Sequence, residues 1–236
     1  MRLDKYLSML QILSRKDSKR LIKKWYFIVN DEVIYEEKFD VQDGDILSRD
    51  DIDHVVKTSY TVLINKPAGY ISSDIDEHGR PSYKQLLSDC PYTAMLHIAG
   101  RLDVDTEGLI LASSEGQLIH RIISPKLHLP KTYLVTTRDP LTETMRSALS
   151  AWVTLEDGYH TLPAQASILE SKLLELIITE GKFHQVKRML IAVGNEVTHL
   201  KRTQIWPRSL EQVPACGWLE LSPDAISLAL WRKITT

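Results

Sequence analysis

The sequence predicts an α+β protein, in which a small N-terminal α/β module over residues 1–58 is followed by a larger domain over residues 59–236 with a mixed, mostly antiparallel sheet. Three observations support this prediction. Helical periodicity dominates the first 24 residues, short apolar and β-branched runs alternate with helical segments from about residue 60, and 236 residues suffice for one or two domains. The composition, 43% hydrophobic and 25% charged, is typical of globular proteins and excludes disordered and collagen-like classes.

Two helices are predicted at the N-terminus. Apolar residues recur at helical spacing between Leu3 and Leu13, which indicates an amphipathic first helix. Ser14, with Asp17 three residues later, is close to a capping box and predicts where the second helix begins. That helix is expected to turn its basic residues outward and its apolar residues inward, the inward set being Leu21, Ile22 and Trp25.

A small sheet is predicted to complete the first module. Two apolar runs flank Asn30-Asp31 and predict a hairpin over residues 27–34. A further strand is predicted over residues 41–47, with Asp43-Gly44 as its turn, and residues 51–60 are predicted to be a linker.

The second domain is predicted from β-rich segments and one clear helix. The strand candidates are residues 62–65, 109–112, 132–137, 164–169 and 173–178. Residues 184–193 have helical periodicity and are followed by Gly194, a typical residue for the end of a helix.

Charge is distributed unevenly along a chain whose net charge is only −2. Residues 1–24 contain eight basic and two acidic side chains, and residues 181–208 contain six basic and one acidic. Two such patches indicate that partners carrying phosphate bind at defined faces of the protein. Charge alone is equally consistent with two solvated helix faces.

Cysteine usage and hydropathy indicate a cellular location. Cys90 and Cys216 lie far apart, so neither a disulfide framework nor a zinc site is predicted. The first residues are charged, and no apolar run approaches the roughly 20 residues that span a bilayer. We therefore expect a soluble cytoplasmic protein with no membrane partner.

The strongest chemical signal is the segment Gly100-Arg101-Leu102-Asp103-Val104-Asp105-Thr106-Glu107-Gly108. The glycines of this segment permit sharp turns, and the apolar run that follows it predicts a buried strand. The acidic side chains of the segment would therefore lie at the edge of a sheet. An ordinary acidic loop also explains the composition. The D-x-D-x-T pattern also matches phosphatases with an aspartate nucleophile, but in that class an apolar strand directly precedes the first aspartate, and here residues 97–101 do not form one.

Taken as a whole, the pattern Gly-Arg-Leu-Asp-x-Asp-Thr-x-Gly-Leu resembles the catalytic motif of the RsuA family of bacterial rRNA pseudouridine synthases. Other family motifs follow in the expected order, namely Lys66-Pro67-Ala68-Gly69-Tyr70, Lys131-Thr132-Tyr133 and residues 180–189. The His-Gln-Val-Lys-Arg-Met form of the last motif is most similar to the type that acts on 16S rRNA. Residues 1–58 are similar to the RNA-binding module named after ribosomal protein S-four.

The resemblance implies an isomerisation in which the bond from C1′ to N1 of uridine breaks and the uracil is rejoined through C5. The reaction needs no redox partner or group donor, so no cofactor and no metal is expected. Asp103 is implied to be the catalytic nucleophile, and Tyr133 to lie against the target base. Lys187 stands where the family usually has arginine, and is the implied ion partner of Asp103, with Arg188 as the alternative.

The target base would lie within folded RNA and must be extruded to react. The resemblance implies that Arg101 enters the vacated space or grips the flanking backbone. Other basic residues would contact phosphates, which position the RNA without reading its sequence: Lys66, Lys182, Arg188, Arg15, Lys16, Lys19, Arg20 and Lys23. Taken singly, each is equally an ordinary solvated charge.

The implied partner is ribosomal RNA, with uridine 516 of 16S rRNA as the target, met in a small-subunit assembly intermediate by a monomeric enzyme. Two alternatives remain open, a 23S rRNA target and a ribosome-binding protein without activity. A ribosome-binding protein without activity would have little reason to retain Asp103, Tyr133 and a cation at position 187 together.

Overall fold

The computed structural model describes residues 1–10, 13–24 and 27–222. The chain divides into two compact units. The first contains residues 1–61 with the short segments 88–96 and 113–115, and the second contains residues 62–87, 97–112 and the chain from residue 116 onward. No helix in the described part of the chain combines the length and the apolar character that crossing a lipid bilayer requires.

The first unit contains two helices and an antiparallel sheet. The elements are α1 (Leu3–Met9), α2 (Arg15–Ile22), β1 (Phe27–Val29), β2 (Glu32–Ile34), β3 (Ile46–Arg49) and β4 (Ile52–Val55), with strand order β2-β1-β3-β4. The Ser14 hydroxyl accepts a hydrogen bond from the Asp17 amide, so the predicted cap of α2 is confirmed. The predicted hairpin is confirmed as well, with Asn30 and Asp31 both at positive φ in its turn.

Two predictions about the first unit are wrong. Residues 51–60 are not simply a linker, because β4 pairs with β3 through a tight turn at Asp50 and Asp51, both at positive φ. The strand predicted over residues 41–47 begins only at Ile46, after the Asp43-Gly44 turn. All four β4 residues are exposed, so the strand lacks the in–out alternation that would have revealed it. The expected inward position of Trp25 lies outside the described residues.

The second unit is built on a mixed sheet with helices. Its elements are β5 (Thr61–Lys66), β6 (His97–Ile98), β7 (Glu107–Ser113), α3 (Gly116–Ile123), β8 (Lys131–Thr137), α4 (Glu143–Ala151), β9 (Gln165–Glu170), β10 (Leu173–Ile178), α5 (Gln185–Ala192), β11 (Val197–Ile205), β12 (Arg208–Ser209) and β13 (Trp218–Glu220). The strand order is β13-β5-β7-β11-β8-β10-β9, with β6 beside β7 and β12 beside β11. The predicted strands and the helix at 184–193 are confirmed to within a few residues at each end.

The sheet is mostly antiparallel, as predicted, and it includes a parallel pair next to the strand that follows the acidic loop. The pairs β13–β5, β11–β8, β8–β10 and β10–β9 are antiparallel, whereas β7 and β11 run parallel. Leu109 and Leu111 of β7 pack with Leu118 and Ile122 of α3 in the core of this unit. The catalytic-type motif found in the sequence therefore leads directly into a central, buried strand.

Candidate active site

The loop that carries Asp103 is held in place by hydrogen bonds from the segment after β5. The Gly69 amide donates to the Val104 carbonyl at 2.7 Å. The Ser72 hydroxyl accepts from the Leu102 amide at 3.0 Å and donates to the Leu102 carbonyl at 2.7 Å. Gly69 lies at φ +91°, a conformation that glycine adopts without strain. The Lys-Pro-Ala-Gly element thus supports the acidic loop.

Lys66 is part of this support and is completely buried. Its Nζ donates to the carbonyls of Pro67, at 3.0 Å, and Val104, at 3.5 Å. Burial lowers the Lys66 pKa to about 8, even though the carboxylates of Asp105, Glu107 and Asp103 act to raise it. The predicted contact of Lys66 with RNA phosphate is therefore wrong, because its ammonium is enclosed by the protein.

Asp103 forms an ion pair with Lys187, the partner that the family resemblance implied. Lys187 Nζ lies 3.0 Å from Asp103 Oδ2 and 2.6 Å from Asp105 Oδ1, so one cation bridges two carboxylates of the loop. The Asp103 side chain retains 27% exposure, which leaves it accessible to a substrate. Lys187 lies in the first turn of α5, and that helix therefore fixes where the cation meets the loop.

The pKa shifts in this cluster keep its charges in place. Burial acts to lower the pKa of Lys187, but its hydrogen bonds to Asp105 and Asp103 outweigh burial, and the net shift is upward. Burial acts to raise the pKa of Asp105, but its hydrogen bond and attraction to Lys187 outweigh that effect, and the net shift is downward. A charged Lys187 next to an ionised Asp105 is therefore the stable state near neutral pH.

Arg188, the alternative partner of Asp103, faces a different part of the unit. Its guanidinium lies 3.0 Å from Glu156 and 2.6 Å from Asp157, and its Nη1 donates to the Phe183 carbonyl at 3.3 Å. The structure therefore assigns the ion pair with Asp103 to Lys187. Two carboxylates already pair with its guanidinium, as acidic neighbours do with several α2 cations, and a phosphate contact of Arg188 stays a prediction.

Tyr133 is buried on β8, opposite Arg202 of β11. The Arg202 Nη1 donates to the Tyr133 hydroxyl at 3.5 Å, and its Nε donates to the Leu109 carbonyl of β7 at 2.7 Å. Arg202 is buried, and within the described residues its Nη2 has no hydrogen-bond partner. Sequence reasoning did not single out Arg202 as a site residue, although it follows the last family motif closely.

His184 is a second residue that sequence reasoning missed. Its Nε2 lies 3.4 Å from Asp103 Oδ1, the oxygen that Lys187 does not hold. His184 precedes α5 at φ +48°, and its side chain makes no capping hydrogen bond to the helix. The available signal was its spacing, since residues three apart at the start of a helix, here His184 and Lys187, can face the same group.

A buried carboxylate anchors the segment that leads into α5. Glu180 accepts hydrogen bonds from the Tyr159 hydroxyl at 2.7 Å, the Leu162 amide at 2.9 Å and the Gln185 side chain at 2.6 Å. Three donors satisfy a charge that would otherwise be costly to bury. This anchor fixes the start of the helix that carries the residues facing Asp103.

The other predicted RNA contacts are accessible to differing degrees. Arg101 and Lys182 are exposed, and Lys182 Nζ lies 4.6 Å from the centre of the Tyr159 ring. Both remain predicted contacts. Among the described residues, no group of three or more His, Cys, Asp or Glu side chains is placed to hold a metal ion.

In the first unit, the basic side chains of α2 are partly engaged by acidic neighbours. Arg15 and Lys19 lie 3.3 and 4.0 Å from the buried Asp4. The remaining partners are Asp17 for Arg20, at 3.2 Å, and Glu37 for Lys23, at 3.3 Å, whereas Lys16 is exposed. The helix therefore presents a basic face in which most charges are also paired, and its contact with RNA stays a prediction.

The chain is similar to known proteins of one family. Residues 60–192 match the family described as RNA pseudouridylate synthase. The chain is 38% identical over 207 residues to the ribosomal small subunit pseudouridine synthase A of Haemophilus influenzae, covering 87% of this chain and 88% of the relative. It is 37% identical over 231 residues to the protein of the same name from Pasteurella multocida, covering 96% and 98%. A solved structure described as a pseudouridylate synthase superposes with a TM-score of 0.68 at 34% identity, covering 98% of this chain and 99% of that one.

Proposed function

The chain belongs to the RNA pseudouridylate synthase family, and on that premise we propose that it converts uridine to pseudouridine in 16S rRNA, at uridine 516. The 16S target is supported by the two similar relatives named as small-subunit enzymes, which align with most of the chain. We expect a monomer that acts in the cytoplasm on an assembly intermediate of the small subunit.

Asp103 is the proposed nucleophile toward the flipped nucleoside. The observation that carries this proposal is the cluster in which Lys187 holds Oδ2 of a partly exposed Asp103 at 3.0 Å. An ionised carboxylate can form a covalent bond to the sugar or the base and later leave. The bond from C1′ to N1 breaks, a bond from C1′ to C5 forms, the proton leaves C5 and N1 gains one, so the reaction balances without a cofactor.

Tyr133 and the exposed cations complete the proposed mechanism. Arg202 donates to the Tyr133 hydroxyl, and this hydroxyl is proposed to take part in proton movement at C5. Arg101, an exposed residue two positions before Asp103, is proposed to enter the space that the base leaves. Lys182 and the basic residues of α2 are proposed to hold phosphates.

The test compares Asp103→Asn with Asp105→Asn on 23S rRNA and on 16S rRNA, the latter both free and partly assembled with small-subunit proteins. Modified uridines are mapped by carbodiimide-dependent reverse-transcription stops. Both variants lose one carboxylate next to Lys187, so they differ mainly in the group offered to the substrate. We expect pseudouridine in 16S rRNA from the wild type, no detectable product from Asp103→Asn, and a loss of only about tenfold from Asp105→Asn. Product from Asp103→Asn would remove that residue from its role, and product in 23S rRNA alone would overturn the proposed target.

A further inference from the structure

An aromatic ring stands in solvent beside the proposed active site. Phe183 is 76% exposed, although burying a phenylalanine side chain is strongly favourable. Its ring stacks on the His184 imidazole, with centroids 3.7 Å apart and planes inclined by 20°. One face of the phenyl ring is therefore covered by an active-site residue, while most of the side chain remains open.

The imidazole in this stack reaches the proposed nucleophile. His184 Nε2 lies 3.4 Å from Asp103 Oδ1, while Lys187 Nζ lies 3.0 Å from Oδ2, so each oxygen of the carboxylate has a nitrogen-bearing side chain next to it. The charged groups that face His184 are Asp103 and Asp105 on the loop and Lys187 on α5. Since the His184 side chain does not cap α5, its orientation serves Asp103 rather than the helix.

We propose that the exposed face of Phe183 is a stacking site for an unpaired nucleobase of the RNA next to the target uridine, and that His184 is a positioning residue for Asp103. This inference rests on the proposed function, which makes RNA the molecule that reaches this surface. Every base has a π-face, so stacking on a phenyl ring accepts any base and adds affinity without reading sequence. The neighbouring exposed Lys182 supplies a cation for the phosphate of the same nucleotide.

The two halves of the proposal predict different kinetic effects. A base stacked on Phe183 contributes to binding in the ground state and the transition state alike, so its loss raises KM. The contact of His184 with Asp103 acts on the reacting group, so loss of this contact lowers kcat. A residue that merely maintains the fold would not separate these two parameters.

The experiment measures kcat and KM on 16S rRNA for Phe183→Leu, Phe183→Tyr and His184→Asn. Leucine keeps an apolar side chain without a π-face, tyrosine keeps the ring, and asparagine tolerates the positive φ at position 184. We expect Phe183→Leu to raise KM about tenfold with kcat within about twofold, and Phe183→Tyr to restore the wild-type KM. We expect His184→Asn to lower kcat about tenfold or more, with KM within about twofold.

Trp152→Leu is the matched control. Trp152 is also an exposed aromatic residue, at 58%, and it also contacts a histidine, with the His160 ring centroid 5.1 Å away. Its KM and kcat are expected to equal those of the wild type. An unchanged KM for Phe183→Leu would overturn the stacking site, and an unchanged kcat for His184→Asn would overturn the positioning role. Failure of the proposed function would look different from failure of either role, because the wild type itself would then form no pseudouridine in either rRNA. That result would overturn this inference as well.

Discussion

At the scale of single residues, Lys187 determines the charge balance of the site. It is the cation that the described structure places between Asp103 and Asp105, and its hydrogen bonds to both carboxylates raise its pKa. The family usually has arginine at this place, which can bind a carboxylate through two parallel hydrogen bonds, whereas lysine acts as a compact point charge that bridges two acids.

Replacing Lys187 by methionine is expected to lower kcat about 100-fold, because two neighbouring carboxylates then lack their cation. Lys187→Arg, which retains the charge, is expected to lose no more than about tenfold. Single-turnover rates on 16S rRNA measure both effects. Equal losses in the two variants would show that the shape of lysine matters and its charge does not.

Lys66 makes the stability of the protein depend on pH. Its pKa falls from 10.5 to about 8 on folding, so between these values the unfolded chain binds one more proton than the folded protein. The free energy of unfolding therefore rises with pH in this window, by up to about 1.4 kcal/mol per pH unit for this group. Lys131, whose pKa is also lowered to about 8, contributes with the same sign.

Lys66→Met is expected to reduce the rise of the unfolding free energy with pH between pH 8 and 10, as measured by denaturant unfolding. The window ends at pH 10 because buried tyrosines such as Tyr92, whose pKa is raised to about 12, destabilise the folded state above it. Lys172→Met, which alters a lysine at the surface, serves as the control and should retain the wild-type slope. A wild-type slope in Lys66→Met would show that its ammonium is not enclosed.

At the scale of elements, the parallel pairing of β7 with β11 requires glycine at position 108. Gly108 lies opposite Arg202 at φ +107°. A Cβ at this position would overlap the Arg202 carbonyl oxygen and lie 2.8 Å from the carbonyl carbon. The same arginine donates to Tyr133, so the close approach of these two strands also positions a site residue.

Gly108→Ala is expected to destabilise the protein by about 3 kcal/mol or more, because strand backbone rather than a flexible side chain would have to move. Gly194→Ala isolates the cost of positive φ, since Gly194 lies at φ +83° with nothing within 4 Å of an added Cβ. Its expected cost is about 1–2 kcal/mol. The midpoints of thermal or denaturant unfolding compare the two variants, and similar costs would argue against the close β7–β11 approach.

At the scale of the whole molecule, basic charge is concentrated in two stretches of a chain that is nearly neutral overall. One stretch includes α2 in the first unit, and the other includes the α5 region in the second. Phosphate contacts made by such stretches add affinity that weakens as salt rises, because bound counterions are released from the RNA.

Lys16→Gln combined with Arg20→Gln is expected to weaken RNA binding and to reduce the slope of log K against log salt by about 0.7–0.9 for each phosphate that the variant no longer neutralises. Lys38→Gln, which alters a lysine in the acidic stretch of the same unit, is the control. Substitution is preferable to deletion of residues 1–58, because the first unit also includes residues 88–96, where Tyr92 stacks on Tyr60 at 3.8 Å. An unchanged salt slope would place the phosphate contacts elsewhere.

Local patterns were sufficient to predict most elements of this protein. The cap at Ser14, the Asn30-Asp31 hairpin and the helix after His184 each depend on neighbouring residues, and all three are confirmed. The exposed strand β4 was missed because nothing in its side chains distinguishes it from a loop. Its pairing depends on β3 and on a turn formed by two aspartates at positive φ, which local propensity does not favour.

The residue pattern was enough to predict the α+β class and the order of the motifs, and the family resemblance added Lys187 as the partner of Asp103. The surroundings of each charge follow from the folded arrangement alone. That arrangement enclosed Lys66, turned Arg188 toward Glu156 and Asp157, and brought His184 to Asp103 and Arg202 to Tyr133. The physical reason is that a motif specifies residue types along the chain, whereas burial and ion pairing depend on distances between segments that are remote in sequence.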